Sequence, residues 1–468
     1  MALAHPCIAG AFRTPLLALC AVVLLACART GTAAQPEAVA AFAEDYKSFM
    51  RSALTELSFV RDARQLALAA GFSPLQDDSP LTPGTRYFDV NRDRTITLLV
   101  VGEQPMVEGF RIVGAHVDSP RLELKGRPVY EAEGFALLQT YRHGGIKNYQ
   151  WVNIPLALVG HVDRADGTRV QVSLGLDPED PVLLIPDLSP HVDQDYRERK
   201  NRDVIMGEEL DPIIASVAGE DGSVAEQVMR WLESGYGVSA DDLVSAELAL
   251  VPAMPPRDVG VDRSMLAIYG QDDRLSSYTA FRALLEQESP QQTAVAFLVD
   301  NEEVGNVNNT GSESDYLVNL LTDLVARQLG DDYRERDGRR ALRATYVVSS
   351  DVNPGVHPTY PGVWEAGNAP RLGGGVNFKL YGGGFNANSE YIAWTRAYLD
   401  AAEIPWQVAT YKGRASGGTI GNSLSRRDMN VIDYGVPLLS IHSTYALSAK
   451  ADVYALYQAM SAFYRYKP

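Results

Sequence analysis

Four short apolar runs in this sequence end in side chains that can titrate or bind a metal. The run that starts at Phe110 closes on His116 and Asp118. The run that starts at Val295 closes on Asp300, Glu302 and Glu303. Thr345–Ser349 is followed by Asp351, and Leu438–Ile441 by His442. In an open α/β sheet, sites form outside the carboxyl ends of the strands. Histidines and carboxylates gathered there offer the nitrogen and oxygen donors of a metal centre. Asp273, where a helix begins, is a fifth candidate. An aspartate has two oxygens and can bridge two ions about 4 Å apart, the spacing of two-metal hydrolases. Neighbouring residues on a strand face opposite ways. Glu302 and Glu303 therefore need not share a task unless the strand has already ended. One could bind metal while the other serves as general base. Asp118, two residues after His116, could accept the second ring N–H and fix the tautomer. Taken singly, each residue has a plainer reading. Asp273 would serve as an N-cap, the Glu302–Glu303 pair as a solvated charge pair, and each histidine as an ordinary core or surface residue.

The elements that would position these groups alternate. Apolar residues at spacings of three and four, from Val39 through Phe42, Tyr46, Met50, Leu54, Leu57 and Val60, predict helix across 36–72. From Tyr87 to Ile185 the pattern turns to short β-rich runs, and 186–258 is more polar and partly helical. From about Asp262 helices (Ser276–Glu288, Ser312–Gln328) alternate with apolar strands (Ala294–Val299, Thr345–Ser349, Val436–Ile441). That alternation indicates an α/β domain with a largely parallel sheet, interrupted by a β-rich insertion.

Composition narrows the class. The 468 residues carry 42 Lys+Arg against 59 Asp+Glu, a formal charge of −17, which argues against general nucleic-acid binding. The 46% apolar fraction argues against global disorder. The three cysteines, Cys7, Cys20 and Cys27, all precede residue 28, so no later segment can form a thiolate metal site or a disulfide. Arg13 followed by the uncharged apolar run Leu16–Ala28 reads as a secretory leader, too short for an ordinary membrane span. Leu24-Leu-Ala-Cys27 resembles a lipoprotein cleavage box that would anchor Cys27, with plain cleavage after Ala34 as the alternative. The expected location is extracytoplasmic, or cytoplasmic if the segment is not a leader.

Several stretches together resemble the aspartyl aminopeptidase/aminopeptidase I family of dinuclear zinc peptidases. They are Gly114-Ala-His-Val-Asp-Ser-Pro-Arg-Leu122, Gly144-Gly-Ile-Lys-Asn148, Val261-Asp-Arg-Ser-Met265, Gly270-Gln-Asp-Asp-Arg-Leu275, Asp300-Asn-Glu-Glu-Val-Gly305, Ser416-Gly-Gly-Thr-Ile-Gly421 and Ser440-Ile-His-Ser443. The likeness spans nearly all of 40–468. It implies a three-layer α/β/α peptidase domain (35–118 and 258–468) with an inserted β-rich dimerisation domain (119–257), after a leader and tether (1–34). It implies that His116, Asp273 and Asp351 hold one zinc and Asp273, Glu303 and His442 the other, with Asp273 bridging. Glu302 is the implied general base, and Asp118 the residue that orients His116. Two zinc ions per subunit are implied, with Mn2+ or Co2+ as alternatives. The implied partners are short peptides and further copies of the chain, in a dodecamer built from dimers.

Lys379 aligns with a lysine that contacts an acidic substrate side chain in relatives, and otherwise reads as an outward-facing strand residue. His357 aligns with a substrate-binding position, in a stretch that equally suits a plain loop. Aspartyl-preferring relatives carry Trp-His-Thr-Trp-Phe-Asp after the paired glycines. Here Lys147–Asn153 has no histidine, which looks closer to a bacterial branch. His143 could substitute, but reads more simply as a surface histidine. Preference for acidic or neutral N-terminal residues stays open. Rival readings are a dinuclear-zinc deacylase of blocked amines and a non-catalytic extracytoplasmic binding lipoprotein on the same fold.

Overall fold

The computed structural model describes residues 37–219, 222–380, 386–413 and 417–466. Cys27 and the segment expected to be a leader lie outside the described residues. Among the described residues no helix is long and apolar enough to cross a membrane.

A nine-stranded sheet forms the middle layer. At its centre four strands run parallel in the order Ala294–Val299, Arg111–His116, Tyr346–Ser349 and Asn430–Gly435. Every residue of the first two is buried. Parallel strands are covered on both faces, which is why they read as continuous apolar runs. Their side chains alternate between two cores. Val113, Ala115, Ala296 and Leu298 pack with helices Glu37–Met50, Gln271–Leu285 and Lys450–Arg465. Ile112, Val295, Phe297 and Val299 pack with helices Tyr316–Leu329 and Glu335–Arg343. The two-residue period of a strand thus gives the three-layer α/β/α arrangement.

A second sheet of six antiparallel strands takes all its strands from 121–252. It is built on Leu122, Leu138, Trp151, Leu158, Val162 and Leu250, with helix Val224–Tyr236 packed on it through Val228 and Leu232. Ser223 caps that helix in a reciprocal box with Glu226.

Two local expectations change. The helical stretch expected over 36–72 is two helices, Glu37–Met50 and Glu56–Ala69. Thr55 is extended and caps the second with Ser58, so the apolar spacing continues across a break. The strand expected at Val436–Ile441 is displaced. The sheet strand is Asn430–Gly435; further on, Pro437–Leu438 pairs with Asn353–Pro354 and Leu439 bridges to Leu447. Pro437 has no N–H to offer a ladder. His442 therefore sits in a loop beyond the sheet.

Candidate metal centre

The carboxyl ends of the central strands are level. Val299 pairs with His116, Gly114 with Ser349, and Ser349 with Asp433. Side chains just past these ends must converge on one edge. They do so at a cleft of about 670 Å³ lined by Asp272, Glu302, Glu303, Asp351, Lys379 and His442, among others.

His116 lies at the back of the cleft, buried. Its Nδ1 is 3.1 Å from the Asp118 carbonyl oxygen and 3.2 Å from Asp118 Oδ1. Both are acceptors, so Nδ1 carries the proton and Nε2 faces the cleft. His442 is arranged the same way. Its Nδ1 donates to the Gly145 carbonyl at 2.7 Å, leaving Nε2 toward the carboxylates.

Asp272 stands between the two rings. Its Oδ1 is 3.2 Å from His116 Nε2 and its Oδ2 is 3.0 Å from His442 Nε2. This corrects the expectation for Asp273. The helix Gln271–Leu285 is non-helical at Asp272 (φ −90°, ψ 105°) and Asp273 (φ −122°, ψ 35°), so the two carboxylates diverge. Asp273 turns into the interior, fully buried, and neither of its oxygens makes a hydrogen bond. The regular helix begins only after Asp273, which therefore stands where an N-cap would, but its oxygens accept no hydrogen bond from the first turn.

Glu302 and Glu303 both reach the cleft because the strand has ended before them. Asn301 adopts a left-handed conformation (φ 67°), and a 3₁₀ turn follows over Glu302–Val304. Glu302 Oε2 lies 3.9 Å from His116 Nε2, and Glu303 Oε1 lies 3.4 Å from His442 Nε2. Asp118 anchors that turn, accepting from the Glu302 amide at 3.1 Å and the Glu303 amide at 3.2 Å. The second sheet closes the wall with Gly144 and Gly145. Gly144 is left-handed (φ +74°), and a Cβ there would lie 3.1 Å from Glu303 Cβ and Oε2, so glycine is needed on both counts.

Asp351 Oδ1 is 3.8 Å from His116 Nε2, while Asp351 Oδ2 is 3.0 Å from Lys379 Nζ. Lys379 also donates to the Val352 carbonyl at 2.9 Å. It lines the cleft rather than facing outward, with its charge engaged by Asp351. His357 is not brought to the cleft of its own chain. It sits in the following loop with Nδ1 2.9 Å from Thr359 Oγ1 and its ring 5.0 Å from that of Tyr360. His143 is not a surface residue. It is 7% exposed and bonded to Asp118. The sequence signal for it was adjacency to the paired glycines, which fixes where the strand carrying it must end.

The donor set fits cations. Glu303 Oε1 and Asp351 Oδ1 are buried and make no hydrogen bond, an arrangement that costs free energy unless a positive partner takes it up. Burial pushes Glu302 up to about 8, with Asp351 and Asp272 adding to the rise against the pull of His116. Burial likewise raises Glu303 well above its ordinary range, and Asp272 adds to that. Burial would lower His442, but Asp272 and Glu303 hold it up to about 10. Carboxylates this crowded capture protons when no cation neutralises them. The donors fall into overlapping sets, His116–Asp272–Asp351 and Asp272–Glu303–His442, with His116–Glu302–Glu303 between them.

Histidines and carboxylates at the ends of parallel strands, within an α/β/α layer fold, define a metallohydrolase. The family follows from comparison with known proteins. Residues 49–464 match the model of the aminopeptidase I zinc metalloproteases (M18). A probable M18 family aminopeptidase 1 of Clostridium acetobutylicum is 39% identical over 445 residues, 92% of this chain and 95% of its own. The crystal structure of an M18 aminopeptidase from Thermotoga maritima matches with a TM-score of 0.88 at 36% identity, over 92% of this chain and 97% of that one. The mApe1 of S. cerevisiae, solved as a dodecamer, shares the fold at a TM-score of 0.73 and 20% identity, over 90% of this chain and 96% of that one. The chain belongs to the M18 aminopeptidase family and is a zinc metalloaminopeptidase.

Proposed function

We propose that this aminopeptidase removes single N-terminal residues from short peptides at a two-zinc centre, with Glu302 as general base. One observation carries the two-ion reading: Asp272 presents one oxygen to each histidine and so divides the donors into two sets that share it. His116, Asp272 and Asp351 would hold one ion, and Asp272, Glu303 and His442 the other. Bound zinc supplies Lewis acidity toward the scissile carbonyl and toward water. Glu302 belongs to neither set. At the cleft wall it can take the proton of the attacking water and return it to the leaving amine. Asp118 keeps His116 in the tautomer whose Nε2 is free to ligate.

Substrate preference follows from Lys379. An acidic substrate side chain would need an unmatched cation, and Lys379 is matched by Asp351 at 3.0 Å. Asp433, which also lines the cleft, adds a carboxyl nearby. We therefore expect neutral N-terminal residues to be released faster than Asp or Glu. A panel of dipeptides varied at the first position, with zinc content measured alongside, tests both statements. Two zincs per chain and release from free-amine but not N-acetylated peptides is the expected result. Chelation should abolish release and lower the unfolding temperature, because a ligand at a thousand times its Kd stabilises by about 4 kcal/mol. Release confined to acylated substrates would favour the deacylase, and no release with zinc bound would favour a binding protein.

We further propose that the chain assembles into a homo-oligomer of dimers through its six-stranded sheet, up to a dodecamer. The support is the shared fold of the yeast dodecamer. Size-exclusion with light scattering on a chain starting near Gln35 checks it, and a monodisperse monomer would contradict it.

A further inference from the structure

Asp118 is the joint of the centre, and its two oxygens serve different masters. Oδ1 takes His116 Nδ1 and the Glu302 amide. Oδ2 takes the Glu303 amide and, at 2.9 Å, Nε2 of His143. His143 is the last residue of the Phe135–His143 strand in the six-stranded sheet. Its other nitrogen, Nδ1, lies 3.2 Å from Glu123 Oε1 on the neighbouring strand. Glu123 is held in turn by Arg121 at 2.7 Å, and Arg121 by Glu56 at 3.0 Å. A buried chain of alternating charge therefore runs from helix Glu56–Ala69 through the second sheet to His116.

We propose that His143 is a positioning residue of the metal centre: by donating to Asp118 Oδ2 from the second sheet, it sets the carboxylate that orients His116 and the Glu302–Glu303 turn. It touches neither substrate nor any proposed ligand, so it acts only through Asp118. The geometry demands a donor at this place. Asp118 is fully buried, and a buried carboxylate must have its lone pairs filled. Without His143, Oδ2 keeps only the 3.2 Å contact with the Glu303 amide, and the carboxylate is held less firmly about its terminal torsion. Burial would lower His143, but its bonds to Asp118 and Glu123 hold it up to about 9. Both ring nitrogens face carboxylate oxygens, so both donate, and such charge-assisted bonds are about twice as strong as neutral ones. The role rests on the two-zinc reading, and the wild-type zinc titration separates the two.

Two amides of different reach test it. In His143→Gln the side-chain N–H₂ can stand where Nε2 stands and donate to Asp118. In His143→Asn it stops at the Nδ1 position and can reach only Glu123. Outer partners of ligating histidines are worth about 10–100-fold in metal affinity. The expected result is that His143→Asn loses zinc affinity in that range, by competition with a chromophoric chelator. Its kcat should fall while KM stays within about twofold, and His143→Gln should recover most of the loss. The unfolding midpoint of the zinc-free protein should be alike in both variants. Equal zinc affinity in the two variants, or a change in KM alone, overturns the proposal. If His143→Asn does not fold, Glu123→Gln gives the second reading: a severalfold weaker zinc affinity supports the chain, and an unchanged one overturns it. Failure of the wild-type chain to bind two zincs would instead remove the centre itself.

Discussion

Glu302→Gln is expected to keep both zinc ions and lose turnover by 10²–10⁴, roughly the range that a positioned general base contributes. The argument is geometric. Neither proposed ligand set needs Glu302, yet its Oε2 stands 3.9 Å from His116 Nε2, beside where the first set converges. Its backbone is fixed by the left-handed Asn301 before it and by the hydrogen bond that its N–H donates to Asp118 Oδ1. Glutamine preserves shape and that backbone anchor but cannot accept a proton at neutral pH. Zinc content by elemental analysis should match wild type, KM should change little, and kcat should collapse. A glutamine variant with the wild-type rate would remove the base from Glu302. One that lost zinc would show that Glu302 is a ligand.

The second large effect separates adjacent aspartates. Asp272→Asn leaves one oxygen where two are used, and turns an N–H₂ toward one of the histidine Nε2 atoms. Zinc affinity should fall by at least about 100-fold, beyond what outer partners usually contribute, and activity with it. Asp273→Asn should keep two zincs. Asp273 is fully buried, neither oxygen is hydrogen-bonded, and burial, with Asp351 adding to it, raises its carboxyl well above the usual range. A neutral acid there is close in shape to an amide. Titration of both variants with zinc decides the matter. The opposite pattern would return the bridge to Asp273.

This pair also marks how far the sequence could be read. Strand ends carrying His116, Glu302, Glu303 and Asp351 were legible because parallel central strands must be apolar on both faces, and the polar residue that ends such a run stands out. Which of two neighbouring aspartates faces the ions was not, because it depends on backbone angles at the helix start that no side-chain pattern encodes. His442 was found as a residue but placed on a strand, since Val436-Pro-Leu-Leu looks as apolar as the true strand Asn430–Gly435. His143 was misjudged for a related reason. Its burial comes from contact between the two sheets, and single-segment patterns carry no information about which partner covers them. Lys379 was singled out through the family likeness, but its pairing with Asp351 joins separate segments of the chain.

The glycine pair at the tip of the second sheet has a consequence for the molecule as a whole. Gly145 supplies the oxygen that holds His442, and Gly144 lies against Glu303, so two of the five proposed ligands are held by a segment outside the catalytic layer. The insertion is therefore not a detachable module. Splicing it out with a short linker would leave the nine-stranded layer its own core but strip support from both ions' ligands, from His442 and Glu303 directly and from His116 through Asp118. Any force that tilts the second sheet, such as docking of another copy upon it, would be felt first at His442. Assembly on this sheet would in this way be felt at the chemistry, through the two glycines and through His143.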